Sequence, residues 1–161
     1  MLKERHKIFV VDDDPFCLKL MENALRINGF EDVHSFESGA TCLNALIEEP
    51  DIIFLDQVMD SVSGTDTLKA IKRFNPDIYV VFVSGQQQVE VAVESLKYGA
   101  FDYIVKDEQL TSKIGAVLAK ILVVRTMLAR QKPPRSSRLL SFFNLLSFTF
   151  TFLGGLSLFS H

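Results

Sequence analysis

The chain has 161 residues, 48% of them hydrophobic and 23% charged. That is enough for one domain with a full core and a surplus, and it excludes a disordered, collagenous or disulfide-scaffold protein. The net charge of −3 hides a division: residues 1–108 hold all 20 acidic side chains and 10 of the 17 basic ones, while residues 109–161 hold 7 basic and no acidic ones.

Met1–Lys7 is largely charged and has no apolar run of the signal-peptide kind, so the body is expected in the cytoplasm. Ile8-Phe9-Val10-Val11 is short, β-branched and ends in acid, as a strand buried on both faces should. From Pro15 the period becomes helical: Phe16, Leu20 and Ala24 with Cys17, Met21 and Leu25 form the expected inner stripe, ended by Asn28-Gly29. Val33–Phe36 is a second strand, and Ser38 opens a helix expected to run to about Glu49. Ile52–Leu55 is a third strand; Gly64 leads a helix with Leu68 and Ile71 inward, stopped by Asn75-Pro76. Ile78–Val83 is the fourth strand. Val89, Ala92, Val93 and Leu96 make the expected inner stripe of a fourth helix, closed by Gly99. Tyr103-Ile104-Val105 is the fifth strand, and Leu110, Ile114, Val117, Leu118, Ile121 and Leu122 mark a long fifth helix. Cys17 and Cys42 fit no metal or redox spacing and read as small buried apolar groups.

Five strands alternating with five helices specify an α/β fold, a doubly wound parallel sheet covered on both faces. Such sheets bind ligands outside the carboxyl ends of their strands, where strand order reverses. The first strand ends in Asp12-Asp13-Asp14, the third in Asp56, the fourth in Ser84 and the fifth in Lys106. Carboxylates gathered on one edge repel each other unless a cation joins them. With only oxygen ligands and no His or Cys placed nearby, Mg²⁺ is the expected cation. A hydroxyl and an ammonium beside a carboxylate suit an incoming phosphoryl group, with Asp56 as the nucleophile that forms an acyl phosphate. Singly, each residue has an ordinary reading: an Asp at a strand end caps a turn, and Lys106 alone is a solvated charge. Their joint placement on successive strand ends is harder to dismiss.

At this point the chain resembles the receiver domains of two-component response regulators, over roughly residues 5–130. The resemblance rests on Phe9-Val10-Val11-Asp12-Asp13-Asp14, on Asp56 with Met59 and Gly64 three and eight residues later, on Val83-Ser84-Gly85, and on Tyr103-Ile104-Val105-Lys106. It implies a flavodoxin-like single-domain response regulator that catalyses its own phosphorylation and dephosphorylation, a phosphoprotein switch rather than an enzyme acting on a separate substrate. It implies Asp12 and Asp13 as the acid pair, with Asp13 a direct Mg²⁺ ligand, Asp56 as phosphoacceptor, and the Val58 backbone carbonyl as a further ligand. Ser84 would bond the phosphoryl oxygen, Lys106 would pair with it, and Tyr103 would be the aromatic that swings inward with Ser84 on activation. The expected partners are a histidine kinase or phosphotransfer protein and a downstream protein target. A competing reading is a non-switching module that keeps the fold and uses its tail for assembly. A haloacid-dehalogenase-type phosphatase would want a second Asp two residues after the nucleophile, where this chain has Val58.

Two positions depart from the family pattern: Asp60 stands where Pro is usual, and Lys106-Asp107 replaces Lys-Pro. A cis bond without proline costs about 2.5–4 kcal/mol, so either the site tolerates that strain or Lys106 precedes a trans turn of altered shape. Val58, two residues past Asp56, has no side-chain hydrogen-bonding group, which points to a long-lived phosphoryl state; Gln86, two past Ser84, would partly compensate.

After the receiver (residues 1–131) comes a basic Pro-containing linker (132–138), then an apolar tail (139–161). Residues 139–159 carry no charge, and 13 of those 21 are Leu or Phe. As a helix that run is long enough to span a bilayer, and the basic residues before it would hold the receiver on the cytoplasmic face. Alternatively, the alternating Ser147–Phe152 followed by Gly154-Gly155 reads as a hairpin needing a second subunit. The remaining reading is a disordered end. The residues after the receiver are too few for a helix-turn-helix, so nucleic acid is not expected as a direct target.

Overall fold

The computed structural model describes residues 6–59, 63–85 and 89–131, with the side chains of 89–91 excluded. Residues 132–161, and with them the linker, anchor and hairpin readings, lie outside the described residues, as do Asp60 and Gln86. The chain divides into two compact units, 1–121 and 122–161. In the described part of the second, residues 122–131, Val123, Met127 and Leu128 are exposed.

The elements run β1 (Ile8–Val11), α1 (Pro15–Ile27), β2 (Val33–Phe36), α2 (Gly39–Asn44), β3 (Ile52–Asp56), α3 (Gly64–Phe74), β4 (Tyr79–Ser84), α4 (Val89–Lys97), β5 (Asp102–Val105) and α5 (Leu110–Gln131). The strands form one sheet in the order β2-β1-β3-β4-β5, with every pairing parallel. This is the flavodoxin-like, doubly wound sheet. Its inner strands are buried throughout because helices cover both faces, which is why β1 and β3 read as unbroken apolar runs.

Side-chain alternation divides the core into two layers. Ile8, Val10, Ile52 and Phe54 pack with Leu18, Met21 and Leu25 of α1 and with Leu110, Ile114, Val117, Leu118 and Ile121 of α5. Phe9, Val11, Ile53 and Leu55 pack with Cys42, Leu46, Leu68 and Ile71 on the other face.

The structure corrects several expectations of periodicity. Phe16 is 73% exposed and Leu20 is also exposed, because α1 turns inward through Leu18, Met21, Ala24 and Leu25. Two residues from Leu18 in either direction is about 200° around the helix, which carries Phe16 and Leu20 to the far side. In α4, Val93 and Leu96 are likewise exposed while Ser95 is buried. The Ser95 hydroxyl donates to the Ala92 carbonyl, so it enters the interior with its polar group satisfied. The second helix ends at Asn44; a 3₁₀ turn, Leu46–Glu48, follows, and Glu49 stops it in the left-handed region at φ 56°. Leu122 is half-buried, and Cys17 is not an inert core group: half-exposed, its thiol donates to Asp14. Cys42 is buried as expected, and burial pushes its thiol up to about 12.

Gly64 holds β3 and α3 in register. A Cβ there would lie 2.4 Å from the Asp56 carbonyl oxygen and 2.8 Å from Phe82 Cε1. The Gly64 N–H donates to the Gln57 carbonyl, so the helix starts directly against the strand end. Gly64→Ala is therefore expected to push α3 away from β3 and to destabilise the fold by about 1–3 kcal/mol. A lowered denaturant midpoint with an unchanged slope is the expected reading; an unchanged midpoint would show that the contact yields freely.

Candidate functional site

The strand order reverses at β1 and β3, where neighbouring strands lead to helices on opposite faces and leave a crevice beyond their carboxyl ends. Val11 pairs with Leu55, so Asp12, the next residue, stands level with Asp56. Asp56 pairs with Val83, and Ser84 with Val105, which puts Ser84 and Lys106 along the same edge. The register thus lines up the residues that the sequence places at strand ends.

Each acid is held differently. Asp12, 3% exposed, accepts the Asp14 N–H on Oδ1. Asp14 turns away to cap α1, accepting the Phe16 N–H at 2.8 Å, and this backbone bond with the Cys17 thiol holds its carboxyl below the usual range. Asp13 is exposed at the mouth. Asp56, 5% exposed, accepts the Val58 N–H on Oδ2 at 2.7 Å.

Lys106 joins two of them. Its Nζ donates to Asp12 Oδ2 at 2.5 Å and to Asp56 Oδ1 at 2.6 Å. Burial pushes the Asp56 carboxyl up, and the Asp12 charge adds to that, while the Lys106 hydrogen bond and charge pull it down; the net direction is upward. Burial pulls the Lys106 ammonium down, but the bonds and charges of Asp12 and Asp56 together outweigh it and leave its pKa raised.

One ammonium does not balance three carboxylates. Asp12, Asp13 and Asp56 each offer an oxygen within 4.8 Å of the others. A compact, all-oxygen set with excess negative charge fits a hard divalent cation. Mg²⁺ binding at such an acidic pocket is a property of the family identified below.

Ser84 is buried at the end of β4, and its carbonyl accepts the Lys106 N–H at 2.8 Å. Tyr103 is half-buried on β5, packed against the Phe9–Phe82 core layer. Among the described residues no peptide bond is cis, so Lys106-Asp107 takes the trans form. Sequence reasoning missed two features. One is the use of the Val58 N–H as a donor to Asp56. The other is the role of Asp107, which accepts the Gln109 N–H at 3.0 Å and pairs with Lys113; the Lys-Asp pair at the strand end was the only signal for it.

Residues 8–117 match the family model described as the response regulator receiver domain. The chain is 31% identical over 113 residues to the chemotaxis protein CheY of Bacillus subtilis, covering 70% of this chain and 94% of that protein. It is 33% identical to the transcriptional regulatory protein PrrA of Mycobacterium leprae, covering 70% of this chain and 48% of that one. It spans about a quarter of the regulatory protein AtoC of Escherichia coli, at 26% of its length. Among solved structures, a response regulator receiver domain protein from Clostridium thermocellum superposes with a TM-score of 0.70 at 27% identity, over 76% of this chain and 98% of that one. Fold, strand-end acids and family match agree: this chain belongs to the response regulator receiver domain family of two-component signalling.

Proposed function

We propose that Asp56 is the phosphoacceptor of a signalling switch, taking a phosphoryl group from a histidine kinase or phosphotransfer protein and passing the signal on by a change of protein partner. The observation that carries the reading is the buried Asp56 carboxylate, fixed by Lys106 Nζ and the Val58 N–H beside the acid pair. Uptake and loss of a phosphoryl group on an aspartate are properties of the family. For this chain the chemistry of the site supports them.

A lone pair on an Asp56 oxygen forms the new O–P bond while the bond from phosphorus to the donor atom breaks, its electrons leaving with the donor. The Val58 N–H and the Lys106 ammonium orient the attacking carboxylate. In this reading Asp12, Asp13, Asp56 and the Val58 carbonyl hold Mg²⁺, which when bound neutralises charge on the phosphoryl oxygens. Phosphorylation takes the charge from Asp56 and puts a dianionic phosphoryl group in its place, so Lys106 would turn to a phosphoryl oxygen and Ser84 would donate its hydroxyl to another. Lys106 follows β5 directly, and Tyr103 lies on that strand, so the same displacement is available to the half-buried ring. The target is read as protein rather than nucleic acid, since the receiver's own surface is what changes.

The division into a receiver (1–131), a basic linker (132–138) and an apolar tail (139–161) is part of the same proposal. The tail's role is localisation, by contact with the cytoplasmic face of a membrane or with a second copy of the chain. No helix among the described residues is long and apolar enough to cross a membrane.

With a small-molecule phosphodonor and Mg²⁺, mass spectrometry should place the phosphoryl group on Asp56, and Asp56→Asn should abolish it because an amide is not a competent nucleophile. Equal labelling of the variant would sink the assignment. Val58 is 68% exposed at the mouth and offers no side-chain bond to an attacking water. Val58→Asn is expected to speed dephosphorylation roughly tenfold, the rate equivalent of one hydrogen bond of about 1.4 kcal/mol. A phosphoryl lifetime that stays the same or lengthens would mean that another group limits water. Deletion after Lys132 should release the receiver into the soluble fraction with Asp56 labelling intact. A full-length protein already soluble and monomeric without detergent would end the tail proposal.

A further inference from the structure

The turn after β5 is anchored more heavily than a surface turn requires. Lys106 keeps its backbone N–H on the Ser84 carbonyl at 2.8 Å, so its main chain is still tied to β4. The next residue, Asp107, accepts three bonds within its own turn and the first turn of α5. Its carbonyl accepts the Leu110 N–H at 3.0 Å, its Oδ1 accepts the Gln109 N–H at 3.0 Å, and its Oδ2 pairs with Lys113 Nζ at 2.5 Å. Lys113 is itself fixed, its N–H donating to the Gln109 carbonyl at 3.0 Å. The Lys113 hydrogen bond, then the Gln109 N–H, holds the Asp107 carboxyl below the usual range, which agrees with this bonding. Gln109 and Lys113 are both tied to one side chain, so Asp107, the residue next to Lys106, is fastened to the start of α5.

Held by the Ser84 carbonyl on one side and by a fastened Asp107 on the other, the Lys106 backbone sets where its side chain starts. A lysine stem loses rotamer freedom when its head is fixed, and here the head must meet two carboxylates at once. A fixed starting vector is what makes that double contact attainable. We propose that Asp107 is a positioning residue for Lys106: its carboxylate, bonded to the Gln109 N–H and to Lys113, locks the turn after β5 so that the Lys106 ammonium stays between Asp12 and Asp56. Its bearing on phosphoryl transfer rests on the phosphoacceptor reading above; its bearing on Lys106 itself does not.

Trace acetylation of the full-length protein, read lysine by lysine by mass spectrometry, tests the second point without any phosphoryl transfer. Lys19, whose side chain is 75% exposed, serves as the reactive reference. Lys72, bonded to the Pro76 and Ile78 carbonyls, serves as a protected control elsewhere in the fold. Asp107→Ala is expected to raise the Lys106 rate roughly fivefold relative to Lys19 while leaving Lys72 unchanged, as a local opening does. Asp107→Asn, which keeps an oxygen for the Gln109 N–H, should restore most of the protection. Unchanged Lys106 reactivity in Asp107→Ala, or an equal rise at Lys72, would overturn the proposal.

The second measurement is the rate of phosphoryl uptake in a double-mutant cycle. Asp107→Ala should slow uptake when Lys106 is present and have no further effect in a Lys106→Met background, because a positioning residue acts only through the group it positions. The same loss in both backgrounds would assign Asp107 a role independent of Lys106. If Asp56 proves not to be the acceptor, the cycle falls with that reading, while the acetylation result still decides whether Asp107 holds Lys106.

Discussion

The structure turns on one ammonium shared by two buried carboxylates, Lys106 between Asp12 and Asp56. Burying two adjacent carboxylates is unfavourable unless charge and hydrogen bonds compensate them. Lys106 supplies part of that, and it comes from the far side of the site. In the order β1-β3-β4-β5, Lys106 starts two strands from Asp56, about 10 Å at a spacing of roughly 4.8 Å. Its stem must therefore lie across the end of β4. A long apolar stem with a compact charged head suits that path, and the residues at that strand end, Ser84 and Gly85, are small. The demand propagates outward: β4 must end small, β5 must be followed by lysine, and the turn beyond must aim it.

Most of the fold was legible because its strands are buried on both faces. Ile8–Val11 and Ile52–Leu55 are apolar without interruption, and a run of that kind bounded by acid leaves little choice of assignment. The surface helices were less legible. Phe16, Leu20, Val93 and Leu96 are apolar residues at helical spacing, yet all four face outward. Periodicity finds that a helix has a stripe, but where a helix carries apolar residues around much of its circumference the stripe's direction is decided by packing. In α4 the inward position belongs to a serine, whose hydroxyl is satisfied within its own helix, so polarity misled.

The candidate site was legible for a different reason. Its residues are scattered over about 95 positions of sequence, from Asp12 to Lys106, but parallel strands bring their carboxyl ends to one edge whatever the intervening lengths. Residue type at each strand end was therefore enough to assemble Asp12, Asp13, Asp56, Ser84 and Lys106. Main-chain donors could not be read the same way. Every residue but proline has an N–H, so nothing in the letters distinguished Val58's, which bonds Asp56. Nor did the letters decide the shape of the Lys106-Asp107 turn, since its geometry depends on Gln109 and Lys113 folding back onto Asp107.

Gly64 and Lys106 constrain Asp56 in complementary ways, one by excluding atoms and the other by attracting them. At Gly64 the N-terminus of α3 comes so close to the Asp56 backbone that a single carbon would collide with it, which fixes where the carboxylate begins. At its far end, Lys106 Nζ and the Val58 N–H occupy one oxygen each, which fixes where the carboxylate points. Steric contact does not depend on charge, whereas the ion pair does. A reaction that changes the charge of Asp56 would therefore leave its backbone clamp intact and alter the pull on its two donors, Lys106 and the Val58 N–H. Through Lys106, the first residue beyond β5, the change would reach the strand end that leads into α5. The same strand carries Tyr103, and α5 packs on β1 and β3, so this strand end is where a change of charge at Asp56 meets both the half-buried ring and the core.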